Sequence, residues 1–195
     1  MTEYADGDSF HVRQGGRDYI FRLYFVDAPE TDSRFPDRVK EQAKHFKISR
    51  KRVNAAGEQA ARFTTGLLAR PFTVVTKWED ARGTSNQERF YAIVLCGGQN
   101  LAEALVKAGW AQSYGMFADH PTEAQGKAFR KKLDELEVRA REDSAGTWGM
   151  TATSDSATRK SPALSKAKPT PAKSEDKIGD AVFEKLGEMI ETPPL

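Results

Sequence analysis

Cysteine is nearly absent. Cys96 stands alone among 195 residues, which excludes an internal disulfide and any thiolate metal cluster. Histidine is scarce too. His11, His45 and His120 lie far apart along the chain, an arrangement that argues against a zinc enzyme. No apolar run nears the roughly 18–20 residues that span a bilayer. The opening Met-Thr-Glu-Tyr-Ala-Asp has neither the basic nor the apolar stretch of a secretion signal. As written, the chain reads as cytoplasmic; a truncated start would make it a secreted or periplasmic protein. Net charge is small as well, at +2, so overall charge names no partner.

Charge itself is plentiful. Charged residues make up 30% of the chain and hydrophobic ones only 38%, which places part of it outside any compact core. The basic residues are bunched, with nine Lys/Arg against three acids between 37 and 70. Such a face attracts a polyanion, although a solvated helix face has the same composition.

Residues 8–13 alternate polar and apolar side chains. Gly15-Gly16 then supplies a turn, and Tyr19–Val26 a second strand rich in aromatic and β-branched residues. Residues 38–47 and 50–70 read as helical, with Ala60, Phe63, Thr64 and Leu67 on one stripe and Pro71 as the stop. Phe72–Trp78 and Arg89–Leu95 are further strands, separated by a polar loop. Asn100 with Glu103, and Thr122 with Gln125, have capping-box spacing; the helices they open run to Gly109 and to about Gly146. The fold class this implies is α+β, a five-stranded Greek-key barrel of the oligonucleotide-binding (OB) type with about three packed helices. Only four strands are explicit; a bend in the first hairpin or a stub at Thr2–Ala5 would supply the fifth. The expected domain spans 1–149. Residues 150–177, rich in Ser, Ala, Lys and Pro, read as a disordered linker. Residues 178–195 recover amphipathic spacing and form a candidate docking segment for a protein partner.

Three stretches carry candidate chemistry. Asp6-Gly7-Asp8-Ser9 is either a plain β-turn or a turn that points Asp8 at a hard cation. In Arg22–Glu30, an arginine interrupts an apolar strand, and Asp27 and Glu30 follow around Pro29. A guanidinium in that setting needs an anion, either a structural carboxylate or a ligand. Arg89 opens another apolar strand. Carboxylate oxygens suit Ca²⁺ or Mg²⁺, paired arginines suit a phosphodiester, and a nearby glutamate suits a general base.

These motifs resemble the staphylococcal nuclease family. The resemblance is carried by Asp6–Ser9, Phe21–Glu30, Gly57-Glu58-Gln59-Ala60-Ala61, Arg89–Val94 and Asn100–Ala111, all in order. It implies an OB barrel and Ca²⁺-dependent endonuclease cleavage of DNA or RNA, breaking P–O5′ and leaving 3′-phosphates; Mg²⁺ suits the same ligands. It further implies Asp8, Asp27 and the carbonyl of Ala28 as metal ligands, Glu30 as general base, and Arg22 and Arg89 on the phosphate. The chain is expected to act as a monomer on nucleic acid. The alternative is a catalytically weak or inactive nucleic-acid-binding scaffold of the same fold.

The chain departs from the family pattern in two places. Gln87-Glu88 replaces the usual Tyr-Gly before the second arginine, which leaves Tyr114 as the candidate stacking platform. The stretch from Thr31 to Asn54 is longer than in the type member, and Arg50, Lys51 and Arg52 are expected to track the substrate backbone.

Overall fold

The computed structural model describes residues 7–83, 87–115 and 123–150. The core is a mixed sheet built from β1 (Ser9–Gln14), β2 (Arg17–Leu23), β4 (Phe72–Val75) and β5 (Phe90–Cys96), in the order β1-β2-β5-β4. A short β6 (Gln99–Asn100) pairs with β5, while β3 (Val26–Asp27) and β7 (Gln112–Ser113) form a separate two-stranded ribbon. The sheet curls into a half-barrel against four helices. These are α1 (Pro36–Phe46), α2 (Arg50–Leu68), α3 (Leu101–Lys107) and α4 (Glu123–Glu142).

The α+β class is as expected, and the details follow from local chemistry. Gly15 and Gly16 both have positive φ, +59° and +78°, as a two-residue hairpin turn between twisted strands requires. That turn sets the β1–β2 register and places Ser9 opposite Arg22. Asn100 caps α3, its side-chain oxygen accepting the Ala102 N–H at 2.9 Å. Strand β5 runs parallel to β2, with Arg22 opposite Tyr91. Parallel pairing demands a long crossover, and α1, α2 and β4 supply it.

Two expectations are corrected. The strand expected over Tyr19–Val26 breaks after Leu23. Phe25 takes φ +58°, and the chain turns so that β3 leaves β2 and pairs with β7 instead. That ribbon accounts for strands the sequence did not reveal, since two-residue strands carry no periodicity. Thr2–Ala5, the other proposed source, lies outside the described residues. The strand expected to reach Trp78 ends at Val75, and Trp78 itself has φ +60°. Four helices stand among the described residues, in the four stretches that the sequence marked as helical. The Thr122 cap, the linker and the tail segment also lie outside the described residues.

The main core is made of Phe10, Leu23, Tyr24, Val94, Leu101, Leu105 and Leu133, all nearly inaccessible. A second cluster joins the end of α1 to a 3₁₀ turn at Gly146–Gly149 through Phe46 and Trp148, whose rings lie 4.7 Å apart. It fixes α1 over one end of the ribbon. No helix among the described residues is long and apolar enough to cross a membrane.

Candidate active site

Six sequence segments meet at one end of the β1–β2 hairpin. Asp8 sits in the turn entering β1, beside Ser9, and Ser9 faces Arg22 across the ladder. Hairpin register alone therefore brings Asp8 and Arg22 together. Arg22 Nη2 lies 3.2 Å from Asp8 Oδ2 and 3.2 Å from Asp27 Oδ1. Both carboxylates are about as buried as core leucines, each 2% exposed. Asp8 raises the affinity of Arg22 for its proton, against the cost of burial, and Asp27 adds to the effect.

The segment 27–30 is clamped from several sides. Asp8 Oδ2 accepts the Ala28 N–H at 3.0 Å. From α1, Gln42 donates to Asp27 Oδ2 (2.8 Å) and to the Ala28 carbonyl (2.9 Å), and accepts the Glu30 N–H (2.9 Å). From α2, Asn54 donates to the Glu30 carbonyl at 3.1 Å. Gly57 lets α2 approach; a Cβ there would stand 2.5 Å from the carbonyl oxygens of Pro29 and Glu30. Gln112 on β7 completes the shell by donating to Asp27 Oδ2 at 2.9 Å.

Arg38, also on α1, reaches into the cluster. Its Nε donates to Glu30 Oε1 and its Nη2 to Asp27 Oδ1, both at 2.6 Å. Burial works against its charge, yet Asp27 and Glu30 together raise its pKa well above the usual arginine value. Glu30 shows the opposite balance. Burial lifts its carboxyl above the usual range, and the Arg38 hydrogen bond only partly opposes this. Arg38 occupies Oε1 and leaves Oε2 without a donor among the described residues.

The structure thus gathers Asp8, Arg22, Asp27, Ala28 and Glu30 as the sequence implied. Arg89 lies just before β5, two residues ahead of Tyr91, the register partner of Arg22. Its Nε is buried with no hydrogen-bond partner among the described residues. Tyr114 follows β7 and is 47% exposed, held by its backbone N–H on the Phe25 carbonyl at 2.9 Å. Arg50, Lys51 and Arg52 form the first turn of α2. Arg52 donates to the Met150 carbonyl at 2.8 Å, tying down the 3₁₀ turn.

Arg38, Gln42 and Gln112 were not legible as site residues. One signal existed: Gln42 stands on the stripe of Val39 and Phe46, the buried positions of α1. A glutamine among buried helix positions needs polar partners, and here they are the site's own atoms.

The donor chemistry fits a hard cation. Asp8, Asp27 and the Ala28 carbonyl offer only oxygen, and three carboxylates facing Arg22 and Arg38 leave one negative charge over. No group of three or more His, Cys, Asp or Glu side chains forms a metal cluster among the described residues, so the fit is to two carboxylates and a carbonyl. The same oxygens accept hydrogen bonds from Arg22, Arg38, Gln42 and Gln112, which ion ligation would exchange for metal bonds.

The family model described as staphylococcal nuclease homologue matches residues 20–150, and the chain belongs to that family. The match takes in Arg22, Asp27, Glu30 and Arg89. Asp8 precedes it and joins the site through its contacts with Arg22 and Ala28.

Proposed function

We propose that the chain is a nuclease that hydrolyses DNA or RNA with the help of a divalent cation, Ca²⁺ first and Mg²⁺ second. One observation carries this reading. A single guanidinium, Arg22, is held across two buried carboxylates, 3.2 Å from each, while the neighbouring Glu30, half-buried and bonded to Arg38 at 2.6 Å, is raised in pKa. Purely structural ion pairs do not call for a third, proton-hungry acid beside them; hydrolysis does.

Asp8, Asp27 and the Ala28 carbonyl would hold the ion. When bound, it supplies charge neutralisation for the phosphate and a more acidic water. The remaining work belongs to the chain. Arg22 and Arg89 bind the phosphate oxygens, and Arg89 brings an Nε that has no partner of its own. Glu30 takes the proton of the attacking water through Oε2, while Arg38 holds Oε1 in place. A carboxyl raised toward neutral pH is a better base than an ordinary one. As charge grows on the non-bridging oxygens, the two guanidiniums stabilise it. The P–O5′ bond breaks, the departing 5′ oxygen takes up a proton from solvent, and the 3′ side keeps the phosphate.

Incubation of supercoiled plasmid with the full chain, in Ca²⁺, in Mg²⁺ or with a chelator, tests the proposal. The expected result is cation-dependent nicking with 3′-phosphate ends. Binding of plasmid without nicking in either cation would instead assign the chain to non-catalytic nucleic-acid binding.

A further inference from the structure

One buried acid lies outside the candidate active site and takes no part in the chemistry proposed above. On α4, Leu133, Glu137 and Ala140 recur at the spacing of a single helix stripe, and all three are buried. A carboxylate in such a stripe is costly unless donors meet its oxygens. The two oxygens of Glu137 are met from two different elements. Oε2 accepts the backbone N–H of Ser113, on β7, at 2.7 Å. Oε1 lies 2.7 Å from Nε2 of His45, on α1. Arg141, one turn further along α4, also donates to Oε1 at 3.3 Å and lays its guanidinium over the Trp148 ring, 4.4 Å from the centroid.

β7 and α1 are also elements that reach Asp27. Gln112, next to Ser113 on β7, donates to Asp27 Oδ2 at 2.9 Å. Gln42, one turn before His45 on α1, donates to the same oxygen at 2.8 Å. One acid thus ties down both carriers of the glutamines that fix one carboxylate oxygen. The packing of Phe46 on Trp148 also holds α1, but apolar packing is non-directional. The bonds to Glu137 are directional, so they set where along each element the glutamines stand.

We propose that Glu137 is a positioning residue for Asp27: through Ser113 and His45 it locks β7 and α1 in the register at which Gln112 and Gln42 aim the Asp27 carboxylate at the divalent cation. This rests on the reading of Asp27 as a cation ligand. Groups that orient a metal ligand are worth about 10–100-fold in metal affinity. Glu137 acts one step further out, which puts its effect at the lower end.

Two measurements on the full chain test this, one without metal and one with it. NMR of the metal-free protein follows the side-chain amide signals of Gln42 and Gln112, and calorimetry follows titration with Ca²⁺. Glu137→Leu removes both acceptors. It should move both glutamine signals toward those of exposed glutamines and weaken Ca²⁺ binding about tenfold. Glu137→Gln should stay close to the parent in both, because its amide oxygen can keep the Ser113 N–H while its NH₂ donates to a neutral His45 ring. His45→Ala alters a half-buried side chain, so it serves even if Glu137→Leu fails to fold. It should move the Gln42 signal and spare Gln112. Leu101→Ala, a core deletion on α3, should lower the melting temperature and leave both the signals and the Ca²⁺ affinity in place.

Unmoved glutamine signals in His45→Ala and Glu137→Leu overturn the clamp, whether or not plasmid is cleaved. Moved signals with unchanged Ca²⁺ affinity overturn its link to the cation. An equal loss of Ca²⁺ affinity in Leu101→Ala does the same, by reducing the effect to stability. A parent chain that binds neither Ca²⁺ nor Mg²⁺ refutes the nuclease reading instead, and the metal-free signals still decide whether Glu137 holds the partners of Asp27.

Discussion

Arg38 and Glu30 lie eight residues apart and meet at 2.6 Å, Nε to Oε1, while the same guanidinium holds Asp27 through Nη2 at the same distance. One helix-borne cation therefore holds the proposed base in place and pulls its proton affinity down against the effect of burial. Burial raises the Glu30 carboxyl and Arg38 partly lowers it. Arg38→Ala removes the lowering influence. The acidic limb of the pH profile for DNA cleavage should then move to higher pH, and Arg38→Lys should bring it part of the way back. A limb that stays in place in Arg38→Ala would separate Arg38 from the base.

Glu30→Gln is expected to keep its fold and lose about 10²–10⁴-fold in cleavage rate, the usual worth of a general base. Its stability carries a sign that can be checked. Glu30 has a raised pKa in the folded state, so the native protein holds that proton more tightly than the unfolded chain does. The resulting stability is present below the unfolded carboxyl value and is lost as pH climbs through the folded one. The variant should therefore be at least as stable as the parent at pH 7, with the difference fading in acid. Urea unfolding at two pH values measures it.

The two proposed phosphate arginines should separate cleanly. Arg22 holds two buried carboxylates, and taking away one partner of such a group costs about 3–5 kcal/mol. Arg22→Ala should lose both activity and thermal stability. Arg89 has no ion pair among the described residues and a buried, unpartnered Nε. Arg89→Ala should lose on the order of 10²–10³ in rate with an almost unchanged melting temperature. Differential scanning fluorimetry alongside plasmid nicking would show whether the two variants divide in this way.

Cation binding has a readout independent of catalysis. A ligand bound only by the folded state, at 100 times its Kd, adds about 2.7 kcal/mol of stability. Ca²⁺ should raise the Tm of the chain and a chelator should reverse the rise. Asp27→Asn, which weakens the proposed ligand set, should remove most of the response. A Ca²⁺ shift of the same size in that variant would place the ion elsewhere.

Much of the site was legible because its members are local. Asp8 and Arg22 face each other through a two-glycine hairpin, and Asp27 and Glu30 follow within eight residues of Arg22. Turn chemistry and strand alternation act over such distances, so residue types at those spacings already described a cluster. The Asn100 cap was equally readable, since its bonds run to Ala102 and Glu103. Arg50, Lys51 and Arg52 were less so. Composition marked a basic run, but it did not show that Arg52 is bonded to Met150, almost a hundred residues away.

Taken alone, then, the amino-acid order determined the hairpin, the caps and helix stripes, and the acids and arginine that the hairpin delivers. Each of these depends on φ/ψ preference or side-chain period within a few turns of chain. Tertiary structure decided the rest. Phe25 had to turn before β3 could leave β2 and meet β7, and only then could Gln112 reach Asp27. The seating of α1 by Phe46 and Trp148 brought Arg38 and Gln42 onto the carboxylates. Those contacts depend on which faces bury against each other, an energy shared over many side chains that no short stretch of sequence carries.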